Sequence, residues 1–406
     1  MNRIDGGVLA PNGFRAGSVA AGIKKKKLDM TVMTSDVPAV VAGAFTTNVV
    51  KAAPVVWDQH IVAGNHAVRA VVVNSGNANA CTGAQGDRDV QKMAQLVAEG
   101  LAVEAREVLV CSTGVIGVPL PMEKVASGIA ECVAALDDSI GAAKDSAAAI
   151  CTTDTFSKEI AVEFEVDGKA IRIGGMAKGS GMIHPNMATM LSFITTDAQV
   201  EASYLQNLLG STVIDSYNMI SVDGDTSTND TVLVLANGTS AAPAVAPGSV
   251  SEEQFIEAFK FVHTELAKLI VLDGEGAGKF IEVTVSGART KDDARLMAKS
   301  VISSNLVKTA FFGADANWGR MLCAMGYSGA SFDPLAVSIS YASKAGLIAV
   351  MEKGVPIAFD EALAKKILQE KIIQVSATVG NGTEEATAWG CDLSYEYVRI
   401  NGDYRS

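Results

Sequence analysis

Aromatic residues make up only 6% of this 406-residue chain, and charged residues 19%. So few flat side chains leave little on which bases could stack, which argues against single-strand nucleic-acid binding. The formal charge of −12 points the same way, because phosphate binding draws on an excess of Lys and Arg, and no nucleic-acid partner is expected. The one basic run, Lys24 to Lys27, reads as a solvated turn or a short anion-steering stretch. Six cysteines stand far apart without a CxxC pair, in a chain too large to need disulfide staples, so we expect reduced, mostly buried thiols. Four histidines (His60, His66, His184, His263) form no HExxH or other close ligand pairing, and no metal is expected. The sequence also lacks an apolar leader core and any run of about 18 uninterrupted apolar residues. A soluble, cytoplasmic protein with no membrane partner is the expectation.

What is present is 49% hydrophobic residues and 38 glycines, the balance of a compact, loop-rich globular protein. The length admits two domains or one large layered unit. Short β-branched runs predict strands at "MTVMTSD", "VRAVVVNSG", "EVLVCST", "EIAVEFEV", "TVLVLAN", "KFIEVTVSG" and "LAVSISYA". Apolar residues spaced by three and four predict helices in "DRDVQKMAQLVAEGLA", "EEQFIEAFKFVHTELAKLIV", "KDDARLMAKSVISSNLV" and "DEALAKKILQEKII". The class is mixed α/β. Asp167–Gly168 between two alternating runs predicts a hairpin, and the small, Pro-containing stretch 237–251 a surface loop.

Several motif-like stretches fail on inspection. "DGEGAGK" (273–279) has Asp where a phosphate loop needs its first glycine, and Phe280 after the lysine. "VDGDTSTND" (222–230) lacks the calcium-loop glycine and has Val234 where the bidentate Glu belongs. "GYSGA" (326–330) ends on alanine and is no nucleophile elbow. What remains is Thr189, in a glycine-rich, proline-broken stretch with no histidine close enough to suggest a partner base. A threonine freed at an N-terminus carries its own base, the new α-amino group, whose ordinary pKa of about 7.7–8.0 suits neutral pH. The same hydroxyl can open the preceding bond through an N-to-O acyl shift. On the residues alone, an ordinary loop threonine is the favoured reading.

The stretch "KGSGMIHPNMATML" (178–191) resembles the self-cleavage motif of the ornithine acetyltransferase (glutamate N-acetyltransferase) family, the bifunctional proteins of arginine biosynthesis. The likeness recurs in "APNGFRAGSVAAGIK", "VVVNSGNANACTG", "CSTGVIG", "TTDTFSK", "SVDGDTSTND", "DGEGAGKFIEV", "LVKTAFFGADANWGR" and "CDLSYEYVRINGDYRS", across nearly the whole chain. It implies cleavage between Ala188 and Thr189, giving an α chain of residues 1–188 and a β chain of 189–406 that intertwine. Thr189 is then the nucleophile, Thr113 and Gly114 form the oxyanion hole, and Thr152, Lys178, Thr189, Glu275, Asn401 and Ser406 contact substrate. The implied reaction moves acetyl from N2-acetyl-L-ornithine to L-glutamate through an acetyl-threonine, without cofactor, and leaves acetyl-CoA open as a second donor. The implied fold is an α/β sandwich of mixed sheets between helical layers, Ntn-hydrolase-like of the DmpA type, with a C-terminal α/β domain, assembled as α2β2. Two departures stand out: Gly278 and Ser406 occupy positions where the family carries Thr; Ser406 keeps the hydroxyl, and Gly278 removes a side chain beside Glu275, which bears on the detailed shape of that pocket. An N-terminal-nucleophile amidase or aminopeptidase, with water as acceptor, is the alternative enzyme, and a self-processed binding protein the alternative of another class.

Overall fold

The computed structural model describes residues 1–184 and 190–403. It contains two compact units: one built from Met1–Gly179, 190–217 and Thr226–Ile270, the other from Ser180–His184, Asn218–Asp225 and 271–403. Each unit therefore takes residues from both sides of the Ala188–Thr189 bond.

The strands in chain order are β1 (Asn2–Ile4), β2 (Phe14–Val19), β3 (Met30–Phe45), β4 (Val68–Asn77), β5 (Val108–Val115), β6 (Lys158–Val166), β7 (Lys169–Lys178), β8 (Leu191–Thr196), β9 (Ile220–Ser221), β10 (Thr231–Ala236), β11 (Phe280–Ala288), β12 (Ser338–Ser343), β13 (Gly346–Glu352), β14 (Val355–Pro356), β15 (Ile372–Thr378) and β16 (Glu384–Cys391). The helices are α1 (Ala53–Ala63), α2 (Gly83–Leu101), α3 (Met122–Ala134), α4 (Ile140–Ala149), α5 (Ala202–Asp215), α6 (Glu252–Leu272), α7 (Lys291–Ser303), α8 (Asn305–Phe312), α9 (Trp318–Gly326), α10 (Glu361–Leu368) and α11 (Tyr395–Gly402).

The first unit is organised by β3, which is long enough to serve two sheet halves. Residues 30–35 pair with β2, residues 30–34 with β4, and residues 40–45 with β10. Between them the register against β4 slips from Thr34 to Ala39, across a stretch containing Pro38, which cannot donate to a ladder. The nine-stranded sheet thus runs β1-β6-β7-β8-β10-β3-β4-β5, with β2 on β3. Its halves share one core, because alternation sends Met33, Val71, Val73 and Leu109 from one half, and Leu191, Phe193, Leu233 and Leu235 from the other, into the same cluster. The opposite faces are covered by helices. Val32, Val72 and Val110 meet α2 and α3 through Met93, Val97, Val125 and Ile129. On the other half α5 fixes Gly43 of β3 through both ends of the Gln206 amide. The expected layers of helix and mixed sheet are therefore realised inside this unit.

In the second unit a seven-stranded mixed sheet runs β14-β13-β12-β15-β11-β16-β9, with β11 parallel to β15 and antiparallel to β16. Helix α7 packs closely on β16, where a Cβ at Gly390 would come within 2.8 Å of Ile302.

Two predicted helices end early. "KDDARLMAKSVISSNLV" divides at Ser304, whose extended backbone (ψ 115°) stops α7 and whose hydroxyl caps α8 at the Val307 N–H. "DEALAKKILQEKII" is helical only to Leu368, and its final isoleucines begin β15. The cysteines also differ from expectation: Cys111, Cys132 and Cys391 are buried, but Cys81 and Cys323 are exposed. The hairpin at Asp167–Gly168 forms as read, both residues having positive φ (50° and 70°).

His263 of α6 is fully buried against the rings of Phe259 and Tyr217, with centroids 4.4 and 5.5 Å away, and neither ring nitrogen has a hydrogen-bond partner among the described residues. Burial pulls its pKa down to about 3. The folded protein keeps this ring neutral while the unfolded chain takes a proton below about pH 6.5, so stability falls as pH drops through that window, by up to about 1.4 kcal/mol per pH unit. His263→Phe should therefore shrink the difference in melting temperature between pH 7 and pH 4. An unchanged difference would show that the ring does not stay neutral.

Candidate active site

Strand β5 delivers Thr113 and Gly114 at its C-terminal end, beside the parallel strand β4. The two strands come so close there that a Cβ on Gly114 would sit 2.3 Å from the Gly76 carbonyl carbon, and φ at Gly114 is 134°. Only glycine fits. Thr113 lies 9% exposed, and its Oγ1 accepts a hydrogen bond from the Lys178 ammonium at 3.3 Å. Lys178 is the last residue of β7 and is equally buried.

Behind these residues sits Asp154. Its Oδ1 accepts from Lys158 Nζ at 2.6 Å and from the Gly179 N–H at 2.8 Å, and its Oδ2 accepts from the Thr152 N–H at 2.9 Å. Burial alone would raise this carboxyl. The charges of Lys178 and Lys158, with the Lys158 and Gly179 hydrogen bonds, outweigh it and hold the group well below the usual carboxylate range. The Asp154–Lys158 pair has no side-chain exposure. Lys24 does not behave as part of a solvated run: it is half-buried, donates to the Cys151 carbonyl at 2.8 Å, and has its pKa lowered by burial, whereas Lys25 to Lys27 are exposed.

The second unit holds Glu275 and Asn401 together. Glu275 is 7% exposed, its N–H donates to the Ser180 carbonyl at 2.9 Å, and its Oε2 accepts from Asn401 Nδ2 at 2.8 Å. Its carboxyl lies directly over Gly181, where a Cβ would be 2.4 Å away. Asp223, from the stretch that failed as a calcium loop, accepts from the Met182 N–H (2.6 Å), the Ile183 N–H (2.9 Å) and the Tyr397 hydroxyl (3.2 Å). Met182 has a φ of 57°, unusual for a residue with a side chain, so this carboxylate holds an otherwise strained turn. Burial, joined by the Lys299 charge, lowers His184 to about 4 and keeps it neutral near pH 7. Gly278 stands close to another carboxylate. The nearest atoms a Cβ would meet there belong to Asp392, at 3.2 Å, whose carboxylate accepts from the Gly278 and Lys279 N–H groups.

The structure thus brings Thr113, Gly114, Lys178 and Thr152 into one cluster in the first unit, and Glu275 with Asn401 into another in the second. Ala188, Thr189 and Ser406 lie outside the described residues. Sequence reasoning missed Asp154, Lys158, Asp223 and Tyr397. The Asp-x-x-x-Lys spacing of the first pair signals a surface helix pair, and nothing local says that an irregular segment buries it. No group of three or more His, Cys, Asp or Glu among the described residues is arranged to hold a metal, and no described helix is long and apolar enough to cross a membrane.

By class the chain is an enzyme, an acyltransferase. It belongs to the ArgJ family, whose model matches residues 15–406. The arginine biosynthesis bifunctional protein ArgJ of Caldanaerobacter subterraneus subsp. tengcongensis is 54% identical over 406 residues, covering 100% of both chains. That of Symbiobacterium thermophilum is 53% identical over 409 residues, again covering 100% of both. Among solved structures, arginine biosynthesis bifunctional protein ArgJ from Bacillus halodurans is 42% identical, covers 53% of this chain and 100% of its own, and superposes with a TM-score of 0.51.

Removing Asp154 would leave the Lys158 ammonium buried without its carboxylate, an arrangement that costs about 3–5 kcal/mol. Asp154→Ala should accordingly lower the melting temperature by several degrees, and adding Lys158→Met should recover much of the loss. If the single variant melts like wild type, the pair does not form in solution.

Proposed function

We propose that this enzyme is an ornithine acetyltransferase that moves acetyl from N2-acetyl-L-ornithine to L-glutamate by way of Thr189. The observation that carries the reading is the Thr113–Gly114 pair, a hydroxyl and a backbone N–H at the end of a buried strand, joined to a buried lysine. Two donors so placed suit an oxyanion. The Thr189 hydroxyl attacks the acetyl carbonyl while its own α-amino group takes the proton. The tetrahedral oxyanion is met by Thr113 and Gly114, the C–N bond breaks, and ornithine leaves with the proton. The glutamate α-amine then attacks the acetyl ester, and N-acetyl-L-glutamate departs. Thr152, Lys178, Glu275, Asn401 and Ser406 serve as substrate contacts, with Glu275 opposite a substrate ammonium.

Self-cleavage between Ala188 and Thr189 supplies the free amine, and we place it before catalysis. It would leave chains of 188 and 218 residues. The solved relative supports this, since the whole of its chain aligns with only 53% of the present one. Acetyl-CoA as a second donor, an α2β2 assembly and a cytoplasmic location belong to the same reading.

Purified protein should run as two fragments, with N-terminal sequencing of the second reading Thr-Met-Leu-Ser-Phe; full activity from one intact chain would refute the cleavage. Acetylornithine without glutamate should leave one hydroxylamine-labile acetyl group on that threonine. Initial-rate lines for varied glutamate should run parallel, and intersecting lines would favour direct transfer in a ternary complex. Thr113→Ala should lower kcat by roughly 10²- to 10³-fold, with a smaller change in KM.

A further inference from the structure

We infer that Lys178 is a positioning residue for the oxyanion hole: its ammonium fixes the Thr113 hydroxyl so that the hydroxyl's proton points at the developing oxyanion. The inference rests on the proposed role of Thr113 and assigns Lys178 a task beyond substrate contact.

The argument begins with donor arithmetic. A lysine ammonium can only donate, whereas a threonine hydroxyl has one proton and two lone pairs. At 3.3 Å Lys178 Nζ occupies a lone pair of Thr113 Oγ1, so the hydroxyl's own proton must turn away from the lysine. No other hydrogen-bond partner of Oγ1 is found among the described residues, which leaves that proton for the substrate. A positive charge against the oxygen also polarises the O–H bond and strengthens it as a donor.

The lysine is held by its surroundings. It ends β7, and the next residue, Gly179, is tied by its N–H to Asp154 at 2.8 Å. The Asp154 carboxylate stands behind it as a negative charge, and is itself fixed by Lys158 at 2.6 Å. Thr113 is β-branched and sits in a strand, so its χ1 has little freedom once the ammonium holds the oxygen. Lysine, threonine and strand end therefore form one preorganised donor.

The test is a double-mutant cycle on Thr113→Ala and Lys178→Met, with kcat and KM for acetylornithine measured per cleaved chain. Lys178→Met keeps the stem and removes the charge, and Asp154 retains Lys158 and two N–H partners. Lys178→Met should lower kcat by roughly tenfold or more, while the double variant should be within about threefold of Thr113→Ala alone, because the lysine has nothing left to orient. Lys178→Gln, which keeps an N–H donor, should recover part of kcat. Where a variant stays uncleaved, the rate of self-cleavage is compared by the same cycle, and melting curves identify any variant that is merely unfolded. If Thr113→Ala loses kcat but Lys178→Met raises only KM, or if the two losses add, the inference fails with the acetyltransferase reading intact. If Thr113→Ala keeps its kcat, the reading of Thr113 itself fails.

Discussion

A carboxylate without water must be met by the protein, and Asp154 is met from three directions. The Lys158 ammonium comes from the start of β6, the Gly179 N–H follows the end of β7, and the Thr152 N–H comes from the segment after α4. Because β6 and β7 pair as a hairpin with Lys158 opposite Ala177, the lysine and the glycine arrive from adjacent strands. The single charge therefore sets where β7 ends. It also sets Lys178, and through Lys178 the hydroxyl of Thr113. Replacing the cluster with apolar side chains could leave the fold as stable, since buried ion pairs often contribute little net stability. What the charges add is direction: three donors converge on one carboxylate.

The second unit uses the same device. Asp223 gathers two consecutive N–H groups and a tyrosine hydroxyl and so fixes the turn at Met182 and Ile183, a few residues before the motif's threonine. Glu275 is held by Asn401 on one oxygen and lies over Gly181, so the glycine at that place is required by a close approach. In both units an acidic side chain reads the backbone of the glycine-rich segment, and the Ser180 hydroxyl adds a bond of its own to the Asp273 carbonyl at 2.7 Å.

Much of the fold was legible because the strands and helices carry strong local patterns. β4, β5 and β6 are β-branched runs, and α2 and α6 keep one apolar face. The misreadings have local causes. "KDDARLMAKSVISSNLV" keeps its helical period through Ser304, whose capping hydroxyl splits it in two. The Ile372–Ile373 pair continues a helical spacing but is claimed by β11, with which β15 pairs in parallel. β8 carries no strand signal of its own, because all six of its residues are buried and "LSFITT" shows no alternation. At the site, the motifs named Thr113, Gly114 and Lys178 as neighbours of the chemistry, but not their order of contact. The burial of Asp154 and Lys158 was not legible at all: it depends on the β6–β7 hairpin meeting the segment after α4, a long-range fact that no window of residues contains.

The same long-range closeness explains why the site needs both threonine and glycine at the end of β5. Gly114 brings its backbone against Gly76 more closely than any Cβ would allow, and the β4–β5 register breaks at that point, between Gly76 and Asn77. A break in a parallel ladder turns backbone groups out of the pairing, which is how a strand end comes to offer an N–H to something other than its neighbour. The residue before it must then supply the second donor without wandering. A serine there would sample more χ1 wells, and an asparagine would bring two donors and an acceptor whose order could invert. Threonine offers one proton on a stiff side chain, and a donor-only ammonium behind the oxygen removes the remaining ambiguity. Lysine, threonine and glycine are thus read best as one unit, whose geometry follows from two strands meeting at a place where only glycine fits.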